Sequence, residues 1–162
     1  MKKLLTNYTV YNLWANERIC KKASLDLSLL DLETKSSFNT VRKTLLHIWD
    51  AETIWYKRLK DESLRTWPAE NYDGSFDEFS KEFLNGSDLF CRFVAGKNEE
   101  ELSEVLKYKS LSGVDFATPI SDIILHCMNH STFHRGQIYT MMRTVGITEL
   151  QSIDYITFTR EN

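Results

Sequence analysis

The sequence predicts an all-α protein, a four-helix bundle that forms a single domain over residues 1–162. Apolar side chains recur every three or four residues through four long stretches, which is the spacing that gives a helix one apolar face. Only two prolines and six glycines occur among the 162 residues, and most of them lie between those stretches. Because strand-like alternation is scarce, the pattern favours helices packed on helices.

The first two helices are predicted before residue 61. Apolar residues recur at helical intervals from Leu4 to about Ala23, and again from about Ser37 to Lys60 after a polar connection that contains leucines. The second stripe is apolar except for one acidic residue, Glu52, near its middle. A loop follows over residues 61–74, because a proline and a glycine punctuate a polar segment there.

The third helix is predicted to begin with a capping box and to stop at a glycine. Ser75 is the expected N-cap, with Glu78 three residues later, and phenylalanines follow at helical spacing. Gly96 is typical of a C-terminal stop. The connection over residues 97–117 has two interpretations, a short hairpin around the Ser-Gly pair at 112–113 or an extended crossover.

The fourth helix carries the most distinctive residues of the chain. Thr118 is the expected N-cap and Pro119 the first helical residue, and the helix should continue to Val145 and stop at Gly146. Residues 154–162 are predicted to form a short docked segment. The predicted bundle therefore has longer connections between helices 2 and 3 and between helices 3 and 4.

Composition and charge exclude several classes of protein. The net charge is −3 and the lysines and arginines are dispersed, so no basic stripe predicts nucleic-acid binding. No run approaches the ~20 apolar residues of a membrane span, so no membrane association is predicted. The three cysteines are far apart and odd in number, which argues against a disulfide framework and predicts a cytoplasmic protein.

Three of the four histidines, His126, His130 and His134, follow one another at four-residue intervals in the fourth helix. On a helix this spacing places them on one side, and His130 and His134 fall on the flank of the apolar face. A buried imidazole needs hydrogen bonds or a metal, and two imidazoles at this spacing can bind one ion. The pattern lacks the glutamate that serves as the general base in HExxH proteases.

A third imidazole could come from His47 in the second helix or from His126. His126 lies about 12 Å along the helix axis from His134, so His47 is the better geometric candidate. Metal-bound histidines usually donate their other N–H to a nearby acceptor, which makes Glu52 the candidate carboxylate for that role. Gln137 could orient a ligand or water, with a hydrogen bond in helix packing as its favoured role. A buried ion pair between Glu52 and an arginine such as Arg135 is the alternative interpretation of Glu52.

The segments "HIWDAETIWYKRL" from His47, "HCMNHSTFHRGQIYTMMRTVG" from His126, and "YNLWANERI" near the N-terminus resemble the DinB/YfiT-like family of metalloenzymes. The resemblance implies a four-helix bundle in which His47, His130 and His134 hold a divalent metal. It implies that His126 lies beside the site without being a ligand, and that the protein is a homodimer. Characterised members of the family are thiol-dependent transferases and isomerases.

These observations predict a metal-dependent enzyme, and the catalytic residues beyond the metal ligands are not identified by the sequence. The expected function is transfer of a low-molecular-weight thiol, as cosubstrate, to a small-molecule substrate. The alternatives are a non-catalytic metal-binding or dimerising bundle and a metal-dependent hydrolase whose base would be Glu52 or Asp50. Three nitrogen ligands suit zinc or nickel first, with iron or manganese as alternatives.

Overall fold

The computed structural model describes residues 1–62 and 64–161, and the chain is mainly helical. Ser63 of the predicted loop and Asn162 of the predicted C-terminal segment lie outside the described residues. The elements, in chain order, are α1 (Lys2–Ala23), α2 (Val41–Leu59), α3 (Phe76–Gly96), α4 (Glu99–Ser103), β1 (Val105–Lys109), β2 (Asp115–Pro119), α5 (Ile120–Thr144) and α6 (Tyr155–Glu161). The long helices α1, α2, α3 and α5 correspond to the four predicted helices.

The predicted boundaries of the third helix are confirmed, and the start of the second is corrected. Ser75 and Glu78 form the capping box at the start of α3, and α3 ends at Gly96. In α2 the Thr40 hydroxyl accepts a hydrogen bond from the Lys43 N–H at 3.1 Å, so the helix begins at Val41 and not near Ser37.

The expected cap of the fourth helix is wrong. Thr118 and Pro119 lie in β2, which pairs antiparallel with β1 and forms the hairpin that was one of the two interpretations of residues 97–117. α5 therefore begins at Ile120, whose N–H donates to the Glu104 carbonyl at 2.9 Å. Strand pairing already holds the backbone there, and it overrides the local preference for a cap. At its other end α5 stops as predicted, before Gly146 at φ +94°.

The long helices contact one another around a shared apolar interior: α1 packs on α3 and α5, and α2 packs on α3 and α5. The connections 60–75 and 97–119 are long, as predicted, and the segment 24–40 between α1 and α2 is a third connection of similar length to 60–75. The C-terminal helix α6 docks on α1, where Phe158 contacts Tyr11 and Trp14. Across residues 1–62 and 64–161, no helix combines the length and apolar character needed to cross a bilayer.

Candidate metal centre

Helices α2 and α5 bring His47, His130 and His134 together. The ring centroids are separated by 4.8 Å for His47 and His130, 4.7 Å for His47 and His134, and 4.4 Å for His130 and His134. One ring nitrogen from each side chain lies within 4.8 Å of the other two. His134 is buried, whereas His47 and His130 are half-buried. Two helices thus present three imidazoles to one point.

Ring nitrogens of the cluster face one another. The Nε2 atoms of His47 and His130 are 2.9 Å apart, a distance that fits either a hydrogen bond between two neutral rings or two lone pairs directed at one cation. His134 Nδ1 lies 2.7 Å from the Oε1 atom of Gln137. Because that amide oxygen can only accept, His134 carries its proton on Nδ1 and keeps a lone pair on Nε2.

The electrostatics keep the cluster neutral near pH 7. Burial, followed by the nearby His134, lowers the pKa of His47 to about 4. Burial, followed by the neighbouring imidazoles, lowers the pKa of His130 to about 3. Burial also lowers the pKa of His134, against the opposing effect of its hydrogen bond to Gln137. Neutral imidazoles offer the lone pairs that metal ligation requires.

The donor set fits a divalent metal ion. The metal-ligand cluster found among the described residues consists of three histidines and includes no carboxylate. Imidazole suits zinc, nickel, copper and iron, whereas calcium and magnesium prefer oxygen ligands. The buried Nδ1 atom of His130 has no hydrogen-bond partner among the described residues. A cluster of this composition could therefore hold a metal ion.

His126 lies beside the cluster and outside it. Its ring centroid is 6.1 Å from that of His130, and its side chain is exposed. The ring of Trp55 contacts it edge-on at 5.3 Å. The helical rise along α5 thus separates His126 from the point where the other three imidazoles meet.

Glu52 forms a different set of contacts from the one expected. Its Oε1 atom accepts hydrogen bonds from Asn12 Nδ2 at 2.7 Å, Asn16 Nδ2 at 3.0 Å and Ser131 Oγ at 3.0 Å. Its Oε2 atom accepts one from Ser87 Oγ at 2.5 Å. The carboxylate therefore links α2 to α1, α3 and α5. No histidine is among its hydrogen-bond partners in the part of the chain that the structure describes.

Arg135 belongs to the same buried group as Glu52. The guanidinium donates to Asn12 Oδ1, to Asn16 Oδ1 at 3.0 Å and to Thr132 Oγ1 at 2.9 Å, and the residue is 1% exposed. Two asparagines from α1 thus connect the acidic and the basic side chain. A direct Glu52–Arg135 ion pair does not occur among the described salt bridges, so that alternative interpretation of Glu52 is corrected to a bridged arrangement.

Two grooves adjoin the histidines. A groove of about 570 Å³ is lined by His47, Phe38, Asp50 and Trp67, together with residues of the 64–72 segment. A second, of about 810 Å³, lies between residues 33–37 and the outer side of α5, where Gln137 forms part of its wall. Both volumes fall in the range of small-molecule sites.

Comparison of this chain with known proteins identifies its family. A sequence model of the DinB family matches residues 1–161. The chain belongs to the DinB family. It is 27% identical, over 142 residues, to Protein DinB of Bacillus subtilis (strain 168), an alignment that covers 84% of this chain and 83% of that protein. The family assignment made from the histidine motifs is thereby confirmed.

Three residues at the site of this DinB-family chain were missed or undervalued from the sequence. Phe38 stacks on His47 with centroids 4.1 Å apart, and Trp67 lies 6.4 Å from the same ring. Both come from connecting segments, where no periodic pattern indicates position. Asp50 follows His47 by three residues on α2, a spacing that places the two on neighbouring positions of the helix surface, so its signal was present.

Proposed function

We propose that this DinB-family protein is a metal-dependent enzyme that binds one divalent cation through His47, His130 and His134. The observation that carries the proposal is the convergence of three imidazoles, with ring nitrogens within 4.8 Å of one another, beside two grooves. Their lowered pKa values support it, because protons do not compete for the lone pairs near pH 7. Zinc or nickel is the expected metal, and iron or manganese the alternative.

The proposed reaction is transfer of a low-molecular-weight thiol to an electrophilic small molecule. The thiol sulfur forms a bond to carbon, the thiol proton passes to water, and the leaving group departs with the electron pair. A divalent cation supplies Lewis acidity, which lowers the pKa of a thiol or water that reaches it. The chain itself orients the imidazoles: Gln137 fixes the His134 tautomer, and Phe38 packs on the ring of His47.

Metal analysis of variants tests the ligand set. The purified protein should contain about one divalent ion per chain, and His130→Ala or His134→Ala should reduce this to a small fraction, since two remaining imidazoles bind far more weakly. His126→Ala is the matched control on the same helix and should retain the ion. Undiminished metal content in both ligand variants would remove the proposal.

A metal-dependent hydrolase is the second candidate, and Asp50 is the observation that favours it. This carboxylate lines the same groove as His47, and burial raises its pKa to about 6. A base in that position suits activation of water. Assays of metal-loaded protein with thiol–electrophile pairs and with ester or amide substrates distinguish the two reactions. Loaded protein inactive in both would favour a non-catalytic metal-binding role.

The remaining proposals concern architecture and setting. We propose that α1, α2, α3 and α5 form a four-helix bundle, which is supported by their pairwise contacts. A homodimer is proposed on the family resemblance, and light scattering on the purified protein tests it. A cytoplasmic location is supported by the free state of all three cysteines, Cys20, Cys91 and Cys127, each of them buried.

A further inference from the structure

The groove beside His47, which we call the Trp67 groove, has a defined and largely apolar wall. It has a volume of about 570 Å³, and its lining includes Phe38, Leu46, His47, Asp50, Trp67 and Glu70. Because His47 forms part of the wall, any molecule in the groove lies next to the candidate metal centre. The volume suits a molecule of one or two rings.

Trp67 presents more apolar surface to solvent than a tryptophan with a purely structural role. It is 44% exposed, whereas Trp49 on the neighbouring helix is 8% exposed. On the other side of the groove, the Phe38 ring stacks on His47 at 4.1 Å with an interplanar angle of 24°. One face of Phe38 is thus covered by the imidazole, which leaves the exposed Trp67 ring as the aromatic surface of the groove on which a flat ring can stack.

The wall that carries Trp67 is held in place. The Asp50 carboxylate accepts a hydrogen bond from the Ala69 N–H at 2.7 Å, and a 3-10 turn, Pro68–Asn71, follows Trp67 directly. Tyr72, at the end of that turn, packs edge-on against Trp49 with centroids 5.2 Å apart. The segment thus has one polar and one apolar attachment to α2, so the groove exists before a ligand arrives and little ordering cost accompanies binding.

The charges around the groove select against anions. Asp50 and Glu70 both line the groove. The single lysine in the lining, Lys43, donates a hydrogen bond from its ammonium group to Asn39 Oδ1 at 3.2 Å. We infer that the Trp67 groove binds an aromatic ring that carries no negative charge, stacked on Trp67 beside His47, with Asp50 as the residue that positions the Trp67 wall. The identification of that ring with the electrophilic reactant rests on the proposed function, but the binding itself does not.

Binding of 2-naphthol to protein freed of metal by a chelator tests the inference. We expect Trp67→Ala to raise the dissociation constant about tenfold, because one stacking surface is lost. Trp67→Phe keeps an aromatic wall and should stay within about threefold of the parent protein. Phe133→Ala is the matched control: this phenylalanine is 63% exposed and lines the other groove, so its removal should leave the dissociation constant unchanged.

A second pair of variants tests the positioning role of Asp50. Asp50→Asn keeps an oxygen that accepts from the Ala69 N–H and should bind 2-naphthol as the parent protein does. Asp50→Ala loses the acceptor and should weaken binding about threefold, with amide-proton NMR shifts at residues 66–70 reporting release of the turn. Equal weakening by Asn and Ala would overturn this role.

The outcomes separate this inference from the proposed function. Unchanged naphthol binding in Trp67→Ala, or equal losses in Trp67→Ala and Phe133→Ala, would overturn the groove assignment whatever the metal content. Absence of metal or of transferase activity, with the expected naphthol results, would overturn the proposed function and leave the groove assigned.

Discussion

Successive residues of α5 belong to two polar clusters with opposite properties. His130 and His134 join His47 in the histidine cluster, whereas Ser131 and Arg135 join Glu52 in a second group. That second group, here called the Glu52 network, consists of Asn12, Asn16, Glu52, Ser87, Ser131 and Arg135. Its residues are at most 3% exposed, while two of the three histidines are half-buried and one of them, His47, borders a groove.

The two clusters also differ in the pairing of the groups at their centres. Both carboxylate oxygens of Glu52 accept hydrogen bonds, and its four donors come from three helices. In the histidine cluster, His130 Nδ1 has no partner in the described chain, and two Nε2 atoms face each other. A buried carboxylate whose two oxygens are both paired stabilises one packing arrangement, whereas ring nitrogens that face one another beside a groove are suited to a ligand. One nitrogen in each cluster, Arg135 Nε and His130 Nδ1, lacks a partner among the described residues, so the distinction rests on the deeper burial of the Glu52 network and on the pairing of its carboxylate.

The largest expected effect is on stability, from the Glu52 network. Glu52→Ala should lower the free energy of unfolding by about 3–5 kcal/mol, since it leaves Arg135 buried without its bridged counter-charge and removes the acceptor of three buried donors. Urea denaturation of metal-free protein measures the loss. His130→Ala is the comparison from the other cluster and should cost less than about 1 kcal/mol, because that half-buried ring has an unsatisfied nitrogen. Similar losses of stability in the two variants would contradict the assignment of a structural role to the Glu52 network and a ligand-binding role to the histidines.

A smaller effect is expected on metal affinity, from the residue that orients a ligand. Gln137→Leu removes the acceptor for His134 Nδ1 and should weaken metal binding about 10–100-fold, with little change in the urea midpoint. Competition with a chromophoric chelator gives the affinity. Gln137→Glu retains an acceptor for His134 Nδ1 and should keep most of the metal affinity of the parent protein. An affinity within twofold of the parent protein in Gln137→Leu would show that the hydrogen bond serves packing alone.

The smallest effect is expected from mild acid. The folded pKa values of His47 and His130 are about 4 and about 3, and burial also lowers that of His134, so protons compete with a metal at a lower pH than they do at free imidazoles. Cobalt absorbance should therefore change little between pH 7 and roughly pH 5 and fall below that range. Release of half of the bound cobalt near pH 6.5 would indicate imidazoles with the ordinary pKa of solvent-exposed rings.

The same contrast explains what the sequence could predict. Helical periodicity predicts that His130 and His134 share one side of their helix and that His47 lies beside the apolar stripe of its own. Their meeting also depends on the offset of the two helices, and the choice of His47 drew on the family resemblance as well. The partners of Glu52 lie on three other helices, and their identity depends on how those helices are rotated and offset along their axes. Sequence spacing identified Glu52 as unusual but not which side chains meet it.

Predictions from neighbouring residues alone also failed where pairing between distant segments determines the backbone conformation. Thr118 and Pro119 match a helix start in isolation, yet their strand partners, Thr118 with Leu106 and Pro119 with Val105, draw them into the hairpin. Trp67 gave no signal because its position depends on a hydrogen bond between the Ala69 N–H and Asp50. Capping at Ser75, which involves only neighbours in the chain, was correctly predicted.

The interleaving of the two clusters along α5 constrains how such a protein can diversify. A rotation or axial shift of α5 that redirects the imidazoles also displaces Ser131 and Arg135. A change in the geometry of the metal centre therefore also disturbs the contacts that hold the helices together. The groove walls, in contrast, come partly from the segments 33–37 and 64–72, which contribute no residue to either cluster. New substrates are thus accessible to this scaffold through its connecting segments, while the frame beneath them stays fixed.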